Sequence, residues 1–220
     1  MSKLYFKYGA MGSSKTAQAL MCRFNYMQKG FNVFLIKPSV DNRFENGKSQ
    51  VVSRIGLSAD CTKFDKNENL LQLYAKQTIN NKIDVIIVDE CQFLTKDQVN
   101  QLKDISSETP VLCYGLLTNF KTELFEGSKR LIELADSISE IKSICKCGKK
   151  ATINVRLLNG KVETDGEEVV IGAEETYESM CYSCYKSALQ KQQPNISSLT
   201  FNFANPSEDL IDENFLESEL

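Results

Sequence analysis

At 220 residues the chain can build one α/β domain with a small appendage, but not two full-sized domains. An apolar fraction of 42% beside 25% charged residues describes an ordinary globular protein, and a net charge of −3 with a pI near 5.3 leaves no electrostatic footprint for nucleic acid. The absence of histidine excludes Ser-His and Cys-His nucleophiles and leaves Cys, Asp and Glu to hold any metal. Neither a secretory leader nor an apolar run long enough to span a bilayer is visible, so the expected address is cytoplasmic, without membrane.

In chain order, Leu4–Tyr8 reads as a buried strand. Lys15–Lys29 carries Ala17, Leu20, Met21, Phe24 and Met27 at helical spacing. Asn32–Ile36 is a second apolar strand, closed by Pro38. A helix is predicted over Asn69–Ile79, a strand over Asp84–Val88, a helix over Lys96–Ile105, a strand over Val111–Leu116 and a helix over Ser128–Ala135. Strands alternating with helices predict βαβ units and a mostly parallel sheet, and the continuous apolar runs fit a sheet covered on both faces. Near residue 140 the pattern changes: cysteine pairs begin, and Asn159-Gly160 after Ile153–Leu158 signals a two-residue hairpin. The expected organisation is an α/β domain over 1–140, a metal-bound β subdomain over 141–189, and an acidic tail over 190–220 that is largely disordered.

The first predicted strand runs into GAMGSSKT, the residues Gly9, Ala10, Met11, Gly12, Ser13, Ser14, Lys15 and Thr16, and then into a helix. Backbone N–H groups in such a loop make a concave anion site, and the helix N-terminus adds partial positive charge. Lys15 would reach the β- and γ-phosphates of ATP, and the Thr16 hydroxyl would bind Mg²⁺. Ser14 stands where the general motif has a second glycine; Gly12 and Ser13 are expected to supply the flexibility that Ser14 lacks. The alternative is a plain Gly/Ser turn between strand and helix.

The run VIIVDECQFL, Val85 to Leu94, places Asp89 at the C-terminal edge of a strand, where open α/β sheets bind ligands. Asp89 suits the Mg²⁺ sphere, directly or through water. Glu90 would act as general base towards a bound hydroxyl or, in an ATPase, towards water. Cys145-x-Cys147 and Cys181-x-x-Cys184 would complete one tetrahedral, closed Zn²⁺ site; the alternative is four free thiols. Cys22, Cys61, Cys91 and Cys113 stand singly and read as small hydrophobes.

Taken together, GAMGSSKT, DECQF, the two cysteine pairs, CYGLLTNF and VVIGAEETYESMC resemble the zinc-containing (type II) thymidine kinases, in the order found in that family, over Lys3 to Leu189. The resemblance implies a P-loop, RecA-like parallel sheet flanked by helices, with a small zinc-bound β subdomain that carries a lasso loop. It implies transfer of the ATP γ-phosphate to the 5′-hydroxyl of thymidine, and of deoxyuridine, giving dTMP for salvage. It makes Glu90 the base for the nucleoside hydroxyl and puts Gln92 behind it in the acidic motif, among the ATP-site residues. Asp41 and Arg43 match a D-x-R element near the phosphates, and Met11 would line the nucleoside pocket. Phe120 would stack on the pyrimidine, and Glu168, Val169, Val170, Ile171, Gly172 and Tyr177 would form the lasso that grips it, largely through backbone. A homotetramer and inhibition by the thymidine triphosphate end product are further implications. Leu117 and Asn119 depart from the family pattern and receive no role.

The main alternative is a P-loop ATPase or GTPase without a nucleoside acceptor. Such an enzyme leaves Phe120 and the lasso unexplained. A zinc-ribbon module on nucleic acid would need an unbalanced basic surface. From Ile141 to Leu189, however, Glu163, Asp165, Glu167, Glu168, Glu174, Glu175 and Glu178 offset the cations.

Overall fold

The computed structural model describes residues 3–41, 49–166 and 175–192. Its centre is a six-stranded, fully parallel sheet of β1 (Leu4–Tyr8), β2 (Val33–Pro38), β5 (Thr62–Phe64), β6 (Val85–Val88), β7 (Val111–Gly115) and β8 (Ser137–Glu140), in the order β5-β2-β6-β7-β1-β8. The expected α/β architecture is therefore present. β7 lies between the strand that leads into the phosphate loop and the strand that ends at Asp89, so the loops after β1, β6 and β7 crowd one edge of the sheet.

The two faces are covered unequally. Leu4, Phe6, Ile36, Ile86 and Val88 pack against residues of α2 (Leu70–Asn80), α3 (Lys96–Ile105) and α4 (Glu126–Leu134). The opposite face, with Leu35, Val85, Ile87, Leu112 and Tyr114, meets Ala19 and Leu20 of α1 (Lys15–Gln28). It also meets Val51 of β3 (Gln50–Val52), which pairs with β4 (Ser58–Asp60) as a hairpin. Only part of the expected apolar stripe of α1 is core: Met21, Phe24 and Met27 stand 55%, 58% and 47% exposed. The helix is where the periodicity placed it, but it carries two apolar faces, one inward and one outward.

Two helices begin as their sequences dictate. Asn69 accepts a hydrogen bond from the Gln72 backbone N–H at the start of α2. Thr95 and Gln98 form a reciprocal capping box at α3.

Beyond the sheet, β9 (Ser143–Ile144) and β10 (Lys150–Ala151) form a small ribbon, and β12 (Lys161–Glu163), β11 (Ile153–Leu158) and β13 (Glu175–Met180) form a three-stranded antiparallel sheet. Asn159 and Gly160 both take positive φ, 51° and 74°, which is the type I′ geometry their sequence predicts for the β11–β12 turn. α5 (Tyr182–Gln192) closes the described chain and runs past the boundary expected at 189. The segment 193–220 lies outside the described residues. None of the helices among the described residues is long and apolar enough to cross a membrane.

Candidate active site

The loop from Gly9 to Ser14 leaves β1 and enters α1 under tight steric control. A Cβ on Gly9 would collide with the Ile141 carbonyl oxygen and with Ser13 Oγ. Gly12 has φ +74°, and Ser14 has φ 62° and ψ 26°, both left-handed. Ser13 is not among the positive-φ residues, so the glycine-like conformation is adopted by Ser14 itself rather than absorbed by its neighbour. A non-glycine residue there costs on the order of 1 kcal/mol, and the Ser14 side chain makes no capping bond in return. No acid occupies the first turn of α1, which keeps the positive end of the helix open to anions. Lys15 Nζ donates to the Ala10 carbonyl at 2.9 Å and lies 3.4 Å from Ser13 Oγ, folded back over its own loop.

Across from this loop, β6 delivers Asp89 into a buried position. Burial, reinforced by the neighbouring Glu90 charge, pushes the Asp89 carboxyl up to about 7. Thr16 Oγ1 donates to Asp89 Oδ1 at 3.4 Å. A desolvated carboxylate facing a hydroxyl, beside two further carboxylates at Glu90 and Asp41, is a donor set that fits a hard divalent cation. Asp41 is buried and meets the equally buried Lys37 Nζ at 3.4 Å. Arg43 lies outside the described residues.

Glu90 has φ 51° and ψ 39°, a second non-glycine residue in the left-handed region at this edge. Gln92 explains how its carboxylate is held. Gln92 is 2% exposed; its Oε1 accepts from the Leu116 backbone N–H at 3.0 Å, and its Nε2 donates to Glu90 Oε2 at 2.5 Å. The Leu116 N–H can only donate, so the amide orientation is fixed and its NH₂ must face Glu90. Gly115 gives Gln92 room: a Cβ there would lie 2.6 Å from Gln92 Oε1.

These groups converge on one cavity of about 380 Å³, lined by Lys15, Thr16, Asp41, Asp89 and Glu90 together with Arg54 from the turn between β3 and β4. The volume is that of a small-molecule site. A second cavity of about 370 Å³ is lined by Gln92, Phe93 and Phe125, whose rings meet edge to face at 5.7 Å. Sequence reasoning missed Arg54 and Phe93. Phe93 sits inside the quoted DECQF motif; Arg54 sits in the turn of a hairpin whose strands are too short to register as strands.

Phe120 is 2% exposed, and the Arg156 guanidinium of β11 lies 3.7 Å above its ring. Asn119 accepts from the Lys121 and Glu123 backbone N–H groups and so shapes the turn that carries Phe120, a structural task. Tyr177 is half-buried on β13 opposite Arg156. Glu168, Val169, Val170, Ile171 and Gly172 lie outside the described residues, between β12 and β13.

The thiols of Cys145, Cys147, Cys181 and Cys184 all lie within 4.8 Å of one another. Cys147 Sγ and Cys181 Sγ are 3.6 Å apart, too far for a disulfide and close to the ~3.8 Å edge of a tetrahedron with Zn–S bonds of about 2.3 Å. The Cys147 and then the Cys181 backbone N–H pull the Cys145 thiol down to about 6, while its thiol neighbours, Cys147 foremost, push Cys184 up to about 12. Four thiols so close cannot all ionise unaided, and a soft divalent ion resolves that conflict. Cys91 and Cys113 are buried, and burial foremost raises the Cys91 thiol, as expected of core thiols.

With this geometry in hand, comparison with known proteins decides the family. The family model described as thymidine kinase matches residues 2–185. The chain belongs to the thymidine kinase family. A thymidine kinase of Rhodopirellula baltica is 41% identical over 212 residues, spanning 94% of this chain and all of the relative. A thymidine kinase of Shewanella oneidensis is 45% identical over 184 residues, 82% of this chain and 95% of its own. One from Yersinia pseudotuberculosis is 43% identical over 193 residues, 86% and 97% respectively. The four-cysteine cluster is consistent with the zinc-containing type within this family.

Proposed function

We infer that this chain transfers the γ-phosphoryl group of ATP to the 5′-hydroxyl of thymidine, and of deoxyuridine, to form the monophosphate for nucleotide salvage. The observation that carries the reading is the convergence of Lys15, Thr16, Asp89 and Glu90 on one cavity in a chain of this family. A phosphate loop alone fits any ATPase; what favours a nucleoside acceptor is that loop in a chain whose relatives are thymidine kinases.

The reaction needs positioning and charge neutralisation more than covalent help. Lys15 would exchange the Ala10 carbonyl for the β- and γ-phosphate oxygens. Mg²⁺, held by Thr16 and Asp89 within reach of Asp41, would neutralise charge on those phosphates when bound. Arg54, on the turn of the β3–β4 hairpin, offers a further cation to the same cavity. Glu90 takes the proton from the 5′-hydroxyl, and Gln92 holds the accepting carboxylate in place. Arg43, with Asp41, would complete the ATP side.

For the nucleoside, the base lies among aromatic side chains and is gripped at its edge by backbone from Glu168 to Gly172, braced by Tyr177. Phe120 would stack on the pyrimidine, though its ring is buried beneath Arg156. Phe93, half-buried against Phe125, has more of its ring to offer a base than Phe120 has. Cys145, Cys147, Cys181 and Cys184 would hold a structural Zn²⁺, which would fix both ends of the segment that includes the lasso.

The chain assembles as a homotetramer, in support of which Met21, Phe24 and Met27 form an exposed apolar stripe on α1. Light scattering should give a mass four times the chain's 24.8 kDa. A cytoplasmic address fits free thiols that serve a metal.

The test of the phosphate-loop assignment is Lys15→Ala. It should abolish phosphoryl transfer while circular dichroism and zinc content stay unchanged; near-normal turnover would overturn the assignment.

A further inference from the structure

β11 presents two polar side chains, Asn154 and Arg156, on the same face of a strand whose middle is buried. Both reach into the parallel-sheet region. Arg156 covers Phe120, while Asn154 spans two loops at once. Its Oδ1 accepts from the Met11 backbone N–H at 2.8 Å, and its Nδ2 donates to the Thr118 carbonyl at 2.8 Å. Asn154 is 4% exposed, and its orientation is settled by its partners, one of which can only donate and the other only accept. A buried amide at a strand centre costs stability unless both ends are paired, and here both are.

Met11 lies in the phosphate loop, immediately before Gly12 and close to Ser14, whose left-handed conformations the surroundings must enforce. Thr118 lies in the segment that follows β7. On its other side, Asn154 is in register with Ser179 of β13, and β13 leads directly to Cys181.

We propose that Asn154 is a positioning residue: it fastens the cysteine-bearing unit to the phosphate loop and holds the Met11 amide in the shape that binds ATP. The inference rests on the phosphate-loop reading given above. Its consequence is that the affinity for ATP depends on a side chain from the three-stranded sheet, far away in sequence.

The experiment compares the full-length, zinc-loaded parent with Asn154→Leu, which keeps the branching and heavy-atom count of the side chain and removes both bonds. Calorimetry with a non-hydrolysable ATP analogue and Mg²⁺ should show affinity falling about tenfold, the worth of a lost buried hydrogen bond. Hydrogen exchange at the Met11 amide should accelerate, and the KM for ATP should rise more than the KM for thymidine, with zinc content unchanged. ATP-analogue affinity within twofold of the parent and unaltered Met11 exchange would overturn the proposal. If Asn154→Leu does not fold, Asn154→Ser is measured the same way; its side chain is too short to bridge both partners, and parent-like affinity would again overturn it. Lys15→Ala, run in parallel, separates the two levels. Parent-like ATP binding there would sink the phosphate-loop reading, and this inference with it.

Discussion

The parallel-sheet region and the cysteine-bearing unit solve the problem of staying folded in different ways. The first buries two apolar layers, one on each face of six strands. The second buries far less: one cluster of Cys145, Ala151 and Cys181, and beside it Val155 and Val162. A unit that small cannot be held by area alone, and its four thiols stand where a core would be. The groups proposed for catalysis stand on the first region, at the ends of β1 and β6. The segment proposed to grip the substrate belongs to the unit that carries the four thiols.

The largest expected effect tests the catalytic side of this contrast. Glu90→Gln keeps the shape of the side chain and removes the base, so turnover at saturating substrates should fall ~10²–10⁴-fold while ATP and thymidine still bind. Unchanged turnover would return Glu90 to a structural role. Next comes the metal-dependent side. Cys181→Ser should reduce the zinc content well below one per chain and raise hydrogen exchange across β11, β12 and β13, while β1, β6 and β7 stay protected. Protection lost equally in both regions would show that they do not fold as separate means of support.

A smaller effect discriminates between the aromatic residues. Phe93→Ala should weaken thymidine binding by roughly 1–3 kcal/mol, the worth of a base–aromatic stack, and leave ATP binding unchanged. Phe120→Ala should weaken thymidine binding too, but with a loss of thermal stability, because Phe120 is buried beneath Arg156. If Phe120→Ala alone affects the nucleoside, the base lies on Phe120 and Phe93 only lines the wall.

The smallest effect concerns backbone strain. Ser14→Gly relieves a left-handed serine that makes no capping bond, so it should change stability by no more than ~1 kcal/mol and leave turnover at or above the parent's. A large loss of activity would give the Ser14 hydroxyl a part that its geometry does not suggest.

How far these features are legible in the sequence follows the same division. The continuous apolar strands β1, β6 and β7, the loop between β1 and α1, and Asp89 at a strand end are all local signals, and the structure places them together. The Asn159-Gly160 turn and each of the two cysteine pairs are equally local, and the fold brings the two pairs together. What escaped is what depends on distant partners. β8 is Ser-Ile-Ser-Glu, exposed along most of its length, and becomes a strand because β1 offers an edge. The β3–β4 hairpin is three residues a side, too short for a period to show. Asn154 and Arg156 look like surface residues in INVRLL until the phosphate loop and Phe120 are brought against them. The outward face of α1 carries the same periodic signal as its inward face, and only packing tells them apart.

The central claim is that the two regions together make a nucleoside kinase rather than an ATPase. The most direct measurement is ATP turnover by the zinc-loaded protein with Mg²⁺, using thymidine, deoxyuridine, deoxycytidine, deoxyadenosine and deoxyguanosine in turn, and no nucleoside as the reference. The account predicts rapid turnover and 5′-monophosphate product with thymidine and deoxyuridine, and near-background rates with the rest. ATP hydrolysis at the same rate with no nucleoside present would contradict it.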